Sequence, residues 1–257
     1  MSRSRWMPWI NLLALVVALV MNGLANALPI NGLNTGQISD RFQVYFVPAG
    51  YVFSIWGLIY LGMLAFGIYQ VLPAQNDNPR LKRIGYWFVL GCLANSVWIL
   101  LWHYGFFLWT LVAMITLLVS LIVIYVRLGI GRSAVPAVER WLVDTPFGIY
   151  LGWITVATVA NATDVLWYLG WGGWGISPPT WAVIMHFAAT GIALLVNWTR
   201  ADVAFVLVIV WAFAGIAVKQ ANVELVARAA RALAIVVALP LVVTVPRSRQ
   251  RSIQRKQ

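Results

Sequence analysis

Eight long apolar runs alternate with short polar stretches along the chain. A helix that crosses the hydrocarbon core of a bilayer needs about 20 predominantly apolar residues. Runs of this kind predict eight spanning helices, at roughly 9–28, 48–70, 86–106, 108–127, 146–168, 180–199, 202–219 and 226–245. The third and fourth runs meet near Gly105, where a tight turn is expected. The pattern therefore predicts an all-α integral membrane protein with about eight spans.

The composition supports this prediction and excludes several other classes of protein. Hydrophobic residues make up 62% of the 257 residues and charged residues only 10%, whereas about a quarter of the residues of a soluble domain are charged. The net charge of +11 comes from short basic clusters between apolar runs, so we expect no nucleic-acid partner. Cys92 is the only cysteine, which excludes an intramolecular disulfide and a metal site built from cysteines.

The distribution of basic residues predicts how the chain is oriented, because cytoplasmic loops carry an excess of lysine and arginine. With eight spans, fourteen of the eighteen basic residues fall on one side: Arg3, Arg5, Arg80, Lys82, Arg83, Arg127, Arg132, Arg140, Arg200, Arg247, Arg249, Arg251, Arg255 and Lys256. The other side receives Arg41, Lys219, Arg228 and Arg231. We therefore expect both termini in the cytoplasm. The basic tail either binds anionic lipid headgroups or is solvated.

The first apolar run has two interpretations. Arg3 and Arg5 precede it and residues 25–27 (Ala-Asn-Ala) end it, a pattern that also occurs in cleaved signal peptides. Its length is that of a spanning helix, and Asn22 and Asn26 lie one helical turn apart, which suits a face buried in a bundle. We expect the first helix to be retained.

Two connecting segments have compositions that indicate a function. Residues 29–47 form a polar loop with Phe42, Tyr45 and Phe46 near its end. Loops of this length in a compact protein tend to be functional or disordered, and the aromatic residues favour a lid. Residues 170–175 (Gly-Trp-Gly-Gly-Trp-Gly) combine free backbone rotation with tryptophans suited to the headgroup region of a membrane.

Polar and aromatic residues share one face on each of three predicted helices. Helix 2 carries Phe53, Trp56 and Tyr60, helix 3 carries Asn95, Trp98 and Trp102 followed by His103, and helix 5 carries Trp153, Ala157, Asn161 and Asp164. Amide and charged side chains are costly in hydrocarbon, so they face the interior of a bundle or, as an alternative for Asp164, the membrane interface. These faces either line a pocket beneath the 29–47 loop or hold the helices together. His186 in helix 6 is either a structural residue or a ligand-binding one.

Taken in order, these motifs resemble the TspO/MBR family, the tryptophan-rich sensory proteins of the peripheral benzodiazepine receptor type. The residues that carry the resemblance are Pro48, Tyr51, Phe53, Trp56 and Tyr60 at the start of helix 2, Asn95 and Trp98 in helix 3, and Trp153, Ala157 and Asn161 in helix 5. The family patterns are Pro-Pro-x-Trp-x-Phe-x-x-x-Trp, Asn-x-x-Trp and Trp-x-x-x-Ala-x-x-x-Asn. The resemblance implies a five-helix bundle that binds porphyrins, haem, sterol-like lipids or synthetic aromatic ligands under a mobile first loop.

The sequence departs from the family pattern at the start of helix 2. Ala49 replaces the second proline, Tyr51 replaces the tryptophan, and Trp56 follows Phe53 one residue sooner than the pattern requires. These differences affect the ligand more than the fold. From the resemblance and the polar faces together, we expect ligand-binding roles for Tyr51, Phe53, Trp56, Tyr60, Asn95, Trp98, Trp102, Trp153, Asn161 and Asp164.

The predicted organisation has three parts. A TspO-like five-helix transmembrane unit covers residues 1–170, three additional transmembrane helices cover 171–245, and a basic cytoplasmic tail covers 246–257. The three additional helices have no counterpart in the five-helix members of the family that the motifs resemble.

Three classes of function remain open from the sequence. The first is a membrane protein that binds a flat hydrophobic ligand between aromatic walls, with a sensory, regulatory or ligand-handling role. The second is a multi-span transporter for a small hydrophobic or amphipathic solute, for which Asp164 is the only acid well inside a run. The third is an intramembrane enzyme, although neither His-Glu-x-x-His nor Gly-x-Ser-x-Gly occurs. We expect no required cofactor beyond a bound porphyrin or haem, no metal site, a bacterial inner membrane and a homodimer.

Overall fold

The computed structural model describes residues 6–28 and 30–244. Eight long helices dominate this part of the chain, which contains no β-strand. The helices are α1 (Met7–Ala27), α2 (Ile55–Val71), α3 (Trp87–His103), α4 (Phe107–Leu128), α5 (Thr145–Tyr168), α6 (Pro178–Arg200), α7 (Val203–Lys219) and α8 (Glu224–Ala238). Each overlaps the apolar run that predicted it. Arg3, Arg5 and the basic tail over 246–257 lie outside the described residues.

Six helical segments of the described residues are long and apolar enough to cross a membrane. The two remaining long helices, α3 and α7, are also apolar but have 17 residues each, slightly fewer than the usual length of a span. The prediction of an all-α, multi-pass membrane protein is therefore confirmed, whereas the number of eight spans stays a prediction.

The first five helices form a closed ring in the order α1, α3, α4, α5, α2. Buried amides join α1 to both of its neighbours: Asn11 Nδ2 donates to Gln70 Oε1 over 3.0 Å, and Asn22 Nδ2 donates to Asn95 Oδ1 over 2.5 Å. Amide pairs of this kind hold helices together where lipid offers no hydrogen-bond partner. The helix α1 therefore supplies one side of the ring, and its retention stays a prediction. The side chain of Asn26 is not among those described.

The start of α2 differs from the sequence prediction. Residues Gly50–Ser54 form a 3-10 turn, and the α-helix begins only at Ile55. Phe53 therefore belongs to the turn, whereas Trp56 and Tyr60 lie one α-helical turn apart and stack with 5.4 Å between ring centroids. The three rings thus do not share one continuous helix, although they remain close in space.

The connection between α3 and α4 is the tight turn that the sequence predicts. Gly105 has a φ of +77°, a left-handed conformation that glycine adopts without a steric penalty. The N–H of Phe106 donates to the Leu101 carbonyl over 2.9 Å and closes the turn. The turn makes α3 and α4 antiparallel neighbours.

The three C-terminal helices pack on one another and join the ring through α7, which lies along α5. Two glycines of α5 permit this close approach. A Cβ at Gly148 would lie 2.6 Å from Asp202 Oδ2, and a Cβ at Gly152 would lie 3.1 Å from Val208 Cβ. Small residues at helix contacts are a general means of packing helices in membranes. The additional helices therefore share a close interface with the ring.

A buried ion cluster lies beyond the C-terminal end of α2. The guanidinium of Arg80 bonds to Glu139 Oε1 over 2.6 Å and to Asp144, and its Nε donates to the Leu128 carbonyl over 2.7 Å. The side chains of Arg80, Glu139 and Asp144 are 12%, 8% and 11% exposed. Asp144 ends a π-helical turn, Arg140–Asp144, directly before α5. The cluster ties the connection between α2 and α3 to both α4 and α5.

Candidate functional site

The aromatic residues predicted on helices 2 and 5 meet in one cluster. Phe53 lies edge-on to Trp153 with 5.6 Å between ring centroids, and Trp56 lies edge-on to the same indole at 6.2 Å. Tyr60 extends the cluster through its stack on Trp56. Trp153 is buried, whereas the other three side chains are partly exposed. Four of the ten predicted residues therefore form one aromatic wall between α2 and α5.

A second group of rings lies on α3, near the 30–47 loop. Trp98 and Trp102 stack at 5.4 Å with 17° between their planes. Phe42 of the loop lies 5.6 Å from the Trp102 ring, and Phe107 lies 5.4 Å from it on another side. Both indoles are buried, at 9% and 3% exposed, and aromatic rings stack favourably on an indole face.

Two buried amides join the helices of the ring close to these aromatic groups. Asn161 Oδ1 accepts from Trp98 Nε1 over 3.2 Å, and Asn161 Nδ2 donates to Thr110 Oγ1 over 2.9 Å. Asn95 Nδ2 donates to the Tyr150 hydroxyl over 3.2 Å. The interhelical hydrogen bonding that the sequence allowed for both asparagines is therefore present. An amide has two N–H donors and two carbonyl lone pairs, so each keeps capacity for a further partner.

Two buried polar atoms of α5 have no hydrogen-bond partner in the part of the chain that the structure describes. They are Trp153 Nε1 and Asp164 Oδ1, on side chains that are 2% and 3% exposed. Eleven residues separate the two positions, about three helical turns or roughly 16 Å, so both lie on the same face of α5. Buried polar groups are nearly always hydrogen-bonded. An unpartnered donor and an unpartnered acceptor on one face are therefore candidates for contact with a ligand.

Tyr51 lies apart from the other predicted residues. Its side chain is 51% exposed, and its ring lies 5.6 Å from Trp211 of α7. The indole N–H of Trp211 donates to the Val52 carbonyl over 3.1 Å, so α7 borders the turn that carries Tyr51. Eight of the other nine predicted residues lie in the helices of the ring, and Phe53 shares the turn with Tyr51 but packs on Trp153 of α5.

Two cavities lie near these residues. The first, of about 170 Å³, lies under the 30–47 loop and is lined by Asn31, Ile38, Arg41, Trp102, His103 and Phe107 among others. The second is an apolar groove of about 530 Å³ where Leu58 of α2, Ile149 of α5 and Leu207 of α7 approach one another. Trp102 lines the first cavity, and none of the ten predicted residues lines the second. The predicted aromatic residues therefore mainly contact one another.

The first half of the 30–47 loop is held against α3. It contains a short helix, Thr35–Ser39, whose start is capped reciprocally by the side chains of Asn34 and Gln37. The His103 ring bonds to the Ile30 carbonyl at 3.0 Å through Nδ1 and to the Thr35 hydroxyl at 3.2 Å through Nε2. His103 therefore fastens the loop to the end of α3. Residue 29, the first of the predicted lid, lies outside the described residues.

His186 lies in α6, outside the ring. Its side chain is fully buried between Phe46 and Phe213, at centroid distances of 4.7 and 4.8 Å. Its Nδ1 shares a 2.7 Å hydrogen bond with the Ala182 carbonyl, and its Nε2 has no partner among the described residues. The buried ring contacts suit a structural residue and the unpartnered Nε2 suits a ligand-binding one, so both interpretations of this histidine stay predictions.

Sequence reasoning missed two polar partners within the ring. Thr110 receives the amide of Asn161, and Tyr150 receives that of Asn95. Tyr150 stands three residues before Trp153, a spacing that places it on nearly the same face of α5 and that could have revealed it. Thr110 is a polar residue within an apolar run, and such residues occur at many helix contacts, so its sequence gives no comparable signal.

Comparison with known proteins relates the chain to a family. The model of the family described as TSPO-like protein matches residues 8–243, more than nine-tenths of the chain. The match continues through α6, α7 and α8, beyond the motifs that carry the resemblance. No curated protein and no solved structure gives a match.

Proposed function

The chain belongs to the TSPO-like protein family, and from this we propose that it binds a flat hydrophobic ligand inside the ring of α1 to α5. The ligand class is that of porphyrins, haem and sterol-like lipids. The proposed role is sensory, regulatory or ligand-handling, and the ligand is bound reversibly rather than held as a required cofactor. The five-helix ring has aromatic side chains in its interior, and these suit a flat hydrophobic ligand that enters from the membrane.

The observation that carries the proposal is the stacked pair Trp98 and Trp102, bonded at its edge to Asn161. Lipid is as apolar as a helix surface, so burying tryptophan between helices brings little hydrophobic gain. A flat ligand stacked on an indole contributes about 0.5–1.5 kcal/mol beyond burial. Trp153 and Asp164 add an unpartnered donor and acceptor for polar groups of the ligand.

Adding protoporphyrin IX to the purified protein in lipid nanodiscs is expected to quench tryptophan fluorescence in a saturable manner. Saturation is expected because a bound porphyrin quenches the indoles of a limited number of binding sites. Empty nanodiscs and nanodiscs holding an unrelated membrane protein are the controls. Quenching that increases linearly in all three samples would show partition into lipid alone and would contradict the proposal.

Two further measurements separate binding from the other functions that the sequence leaves open. Illumination of the complex followed by absorbance spectroscopy detects chemical loss of the porphyrin, which would indicate an enzyme. Uptake of the porphyrin into sealed proteoliposomes detects net transport. A binding protein is expected to give saturable quenching with neither loss nor uptake.

We also propose that both termini face the cytoplasm of a bacterial inner membrane, with the basic tail toward anionic lipid. The basic residues of the described connections support this orientation. The connections α2–α3 and α4–α5 contain Arg80, Lys82, Arg83, Arg132 and Arg140, and Arg200 ends α6 directly before the α6–α7 connection, in agreement with the excess of positive charge on cytoplasmic loops.

Cysteines placed at Gln43 and Ala134 in a Cys92→Ser background are expected to react with a membrane-impermeant maleimide from opposite sides. Both positions are exposed, and the helices α2, α3 and α4 lie between them. Gln43→Cys should be labelled in intact cells, whereas Ala134→Cys should be labelled only after the membrane is permeabilised. Labelling of both in intact cells would mean that one of these three helices does not cross.

A further inference from the structure

The Phe46 end of the 30–47 loop is bound by the C-terminal helices. Phe46 is 0% exposed, and its ring lies 4.7 Å from His186 of α6 and 6.5 Å from Phe213 of α7. Both partners are also fully buried. Phe46 thus packs into the interior of the three-helix group, although its loop also contacts the end of the ring.

Two side-chain contacts from the end of α7 extend this attachment. Lys219 Nζ lies 3.1 Å from Asp40 Oδ1, and Gln220 Nε2 donates to the Val44 carbonyl over 3.4 Å. Asp40 directly follows the short helix of the loop, and Val44 lies two residues before Phe46. The attachment to α7 therefore involves Asp40 and Val44, although Phe42 between them packs on the ring.

The backbone of α7 also approaches the segment that follows the loop. The Ala49 N–H donates to the Gly215 carbonyl over 3.2 Å. A Cβ at Gly215 would overlap the side chain of Val52 and would lie 3.2 Å from Pro48 Cβ. Glycine at this position therefore permits direct contact between α7 and the chain that leads into α2.

Two other positions of the loop, Thr35 and Phe42, contact the helices of the ring instead. Trp102 Nε1 donates to the Thr35 carbonyl over 3.2 Å, and Phe42 lies against the Trp102 ring. The loop therefore connects α3, which belongs to the five-helix ring, with the helices α6 and α7. Contacts with α3 and with the helices α6 and α7 together position the loop over Trp102.

We propose that the three C-terminal helices hold the 30–47 loop closed over the ring and thereby set the rate at which a ligand enters and leaves. The inference rests on the proposed function, since it takes the ring as the binding site. The ion pair between Lys219 and Asp40 is a minor part of the attachment. Asp40 is 72% and Lys219 30% exposed, and exposed ion pairs contribute little to stability. The buried Phe46 ring is the main part, because its removal leaves a cavity.

The test measures opening of the loop without any ligand. Ser39 is 8% exposed and is close in size to cysteine, so Ser39→Cys in a Cys92→Ser background reports opening through its rate of reaction with a maleimide. Adding Phe46→Ala is expected to increase this rate about tenfold or more, which corresponds to about 1.4 kcal/mol in the opening equilibrium. Phe106→Ala is the matched control, because Phe106 lies at the same end of the bundle but is 59% exposed. It should change the rate less than twofold.

An unchanged labelling rate in the Phe46→Ala variant would overturn the proposal. If that variant does not assemble, Phe46→Leu keeps most of the buried volume and is expected to raise the rate about threefold, in line with the smaller cavity that it leaves. An unchanged rate in Phe46→Leu would overturn the proposal in the same way.

A second measurement separates this inference from the proposed function. The dissociation rate of protoporphyrin IX should rise by about the same factor as the labelling rate, with a smaller change in the association rate. If the Phe46 variant is labelled faster but the protein binds no porphyrin, the result would support anchoring of the loop and reject the proposed ligand. Intact porphyrin binding with unchanged labelling would reject the anchoring and leave the proposed function standing.

Discussion

Replacing Arg80 with methionine is expected to lower the free energy of unfolding by about 3–5 kcal/mol, because two buried carboxylates would lose their cation. Glu139 and Asp144 are 8% and 11% exposed, and both bond to the Arg80 guanidinium. Methionine keeps much of the apolar stem of arginine but supplies neither charge nor N–H donors. Thermal and denaturant unfolding of the detergent-solubilised protein measures the loss.

Arg83→Met is the matched control for this experiment. Arg83 lies three residues further along the same segment, is exposed and forms no ion pair within the described residues, so its replacement should be nearly neutral. Adding Glu139→Gln and Asp144→Asn to Arg80→Met should restore much of the stability. The triple variant buries neither the cation nor the two carboxylates, so no unpaired charge is left. Equal stability of Arg80→Met and Arg83→Met would show that the cluster does not stabilise the bundle.

Replacing Trp98 with leucine is expected to weaken protoporphyrin IX binding about tenfold, which corresponds to about 1.4 kcal/mol. The variant removes one indole of the stacked pair and leaves Asn161 Oδ1 without its donor. Loss of stacking contributes about 0.5–1.5 kcal/mol. Equilibrium titration by fluorescence quenching gives the dissociation constant, and circular dichroism checks that the helices are retained.

Trp109→Leu provides the matched control for the change at Trp98. Trp109 also lies at the loop end of the bundle, but its side chain is 59% exposed, and its loss removes the same number of fluorophores. It should leave the dissociation constant unchanged. If Trp98→Leu bound porphyrin as tightly as this control, the pocket would lie elsewhere, with the region of His186 as the first alternative. If Trp98→Leu failed to assemble, the role of Trp98 would be structural.

The helices could be predicted from the sequence because each helix is formed by a single continuous apolar run. The α-helices that cross a membrane need no partner for their backbone hydrogen bonds, so length and apolarity suffice to locate them. The sequence predicts too early a start for α2, because Pro48 and the turn Gly50–Ser54 contact α7 instead of beginning the α-helix. That contact joins distant parts of the chain and leaves no local signal.

The candidate site could be predicted in part for the same reason. Asn95, Trp98, Trp153 and Asn161 recur with helical spacing, and the structure places them in the ring. Their ligand-binding roles stay predictions. Tyr51 could not be placed, because the three motifs lie on helices 2, 3 and 5 and give no information about α7, against which its ring lies.

The partners of the loop were beyond sequence reasoning. Phe46 carries the same apolar signal whether it faces the ring, the lipid or another group of helices. Its contact with His186 depends on where α6 lies after folding. The choice among these environments is made by tertiary packing, which a single sequence without pairing information does not specify.

The anchoring of the loop has a consequence for the order of biosynthesis. Lys219 follows its partner Asp40 by 179 residues, and Gln220 follows Val44 by 176. Chains are synthesised at about 5–20 residues per second, so roughly 10–35 s separate the emergence of the loop from that of its anchors. In this interval α2 to α5 leave the ribosome, and the loop has only its contacts with the ring, such as those of Phe42 with Trp102, Phe107 and Trp167. A nascent chain therefore passes through a stage in which the loop lacks its anchors, and the translation of α6 and α7 ends that stage.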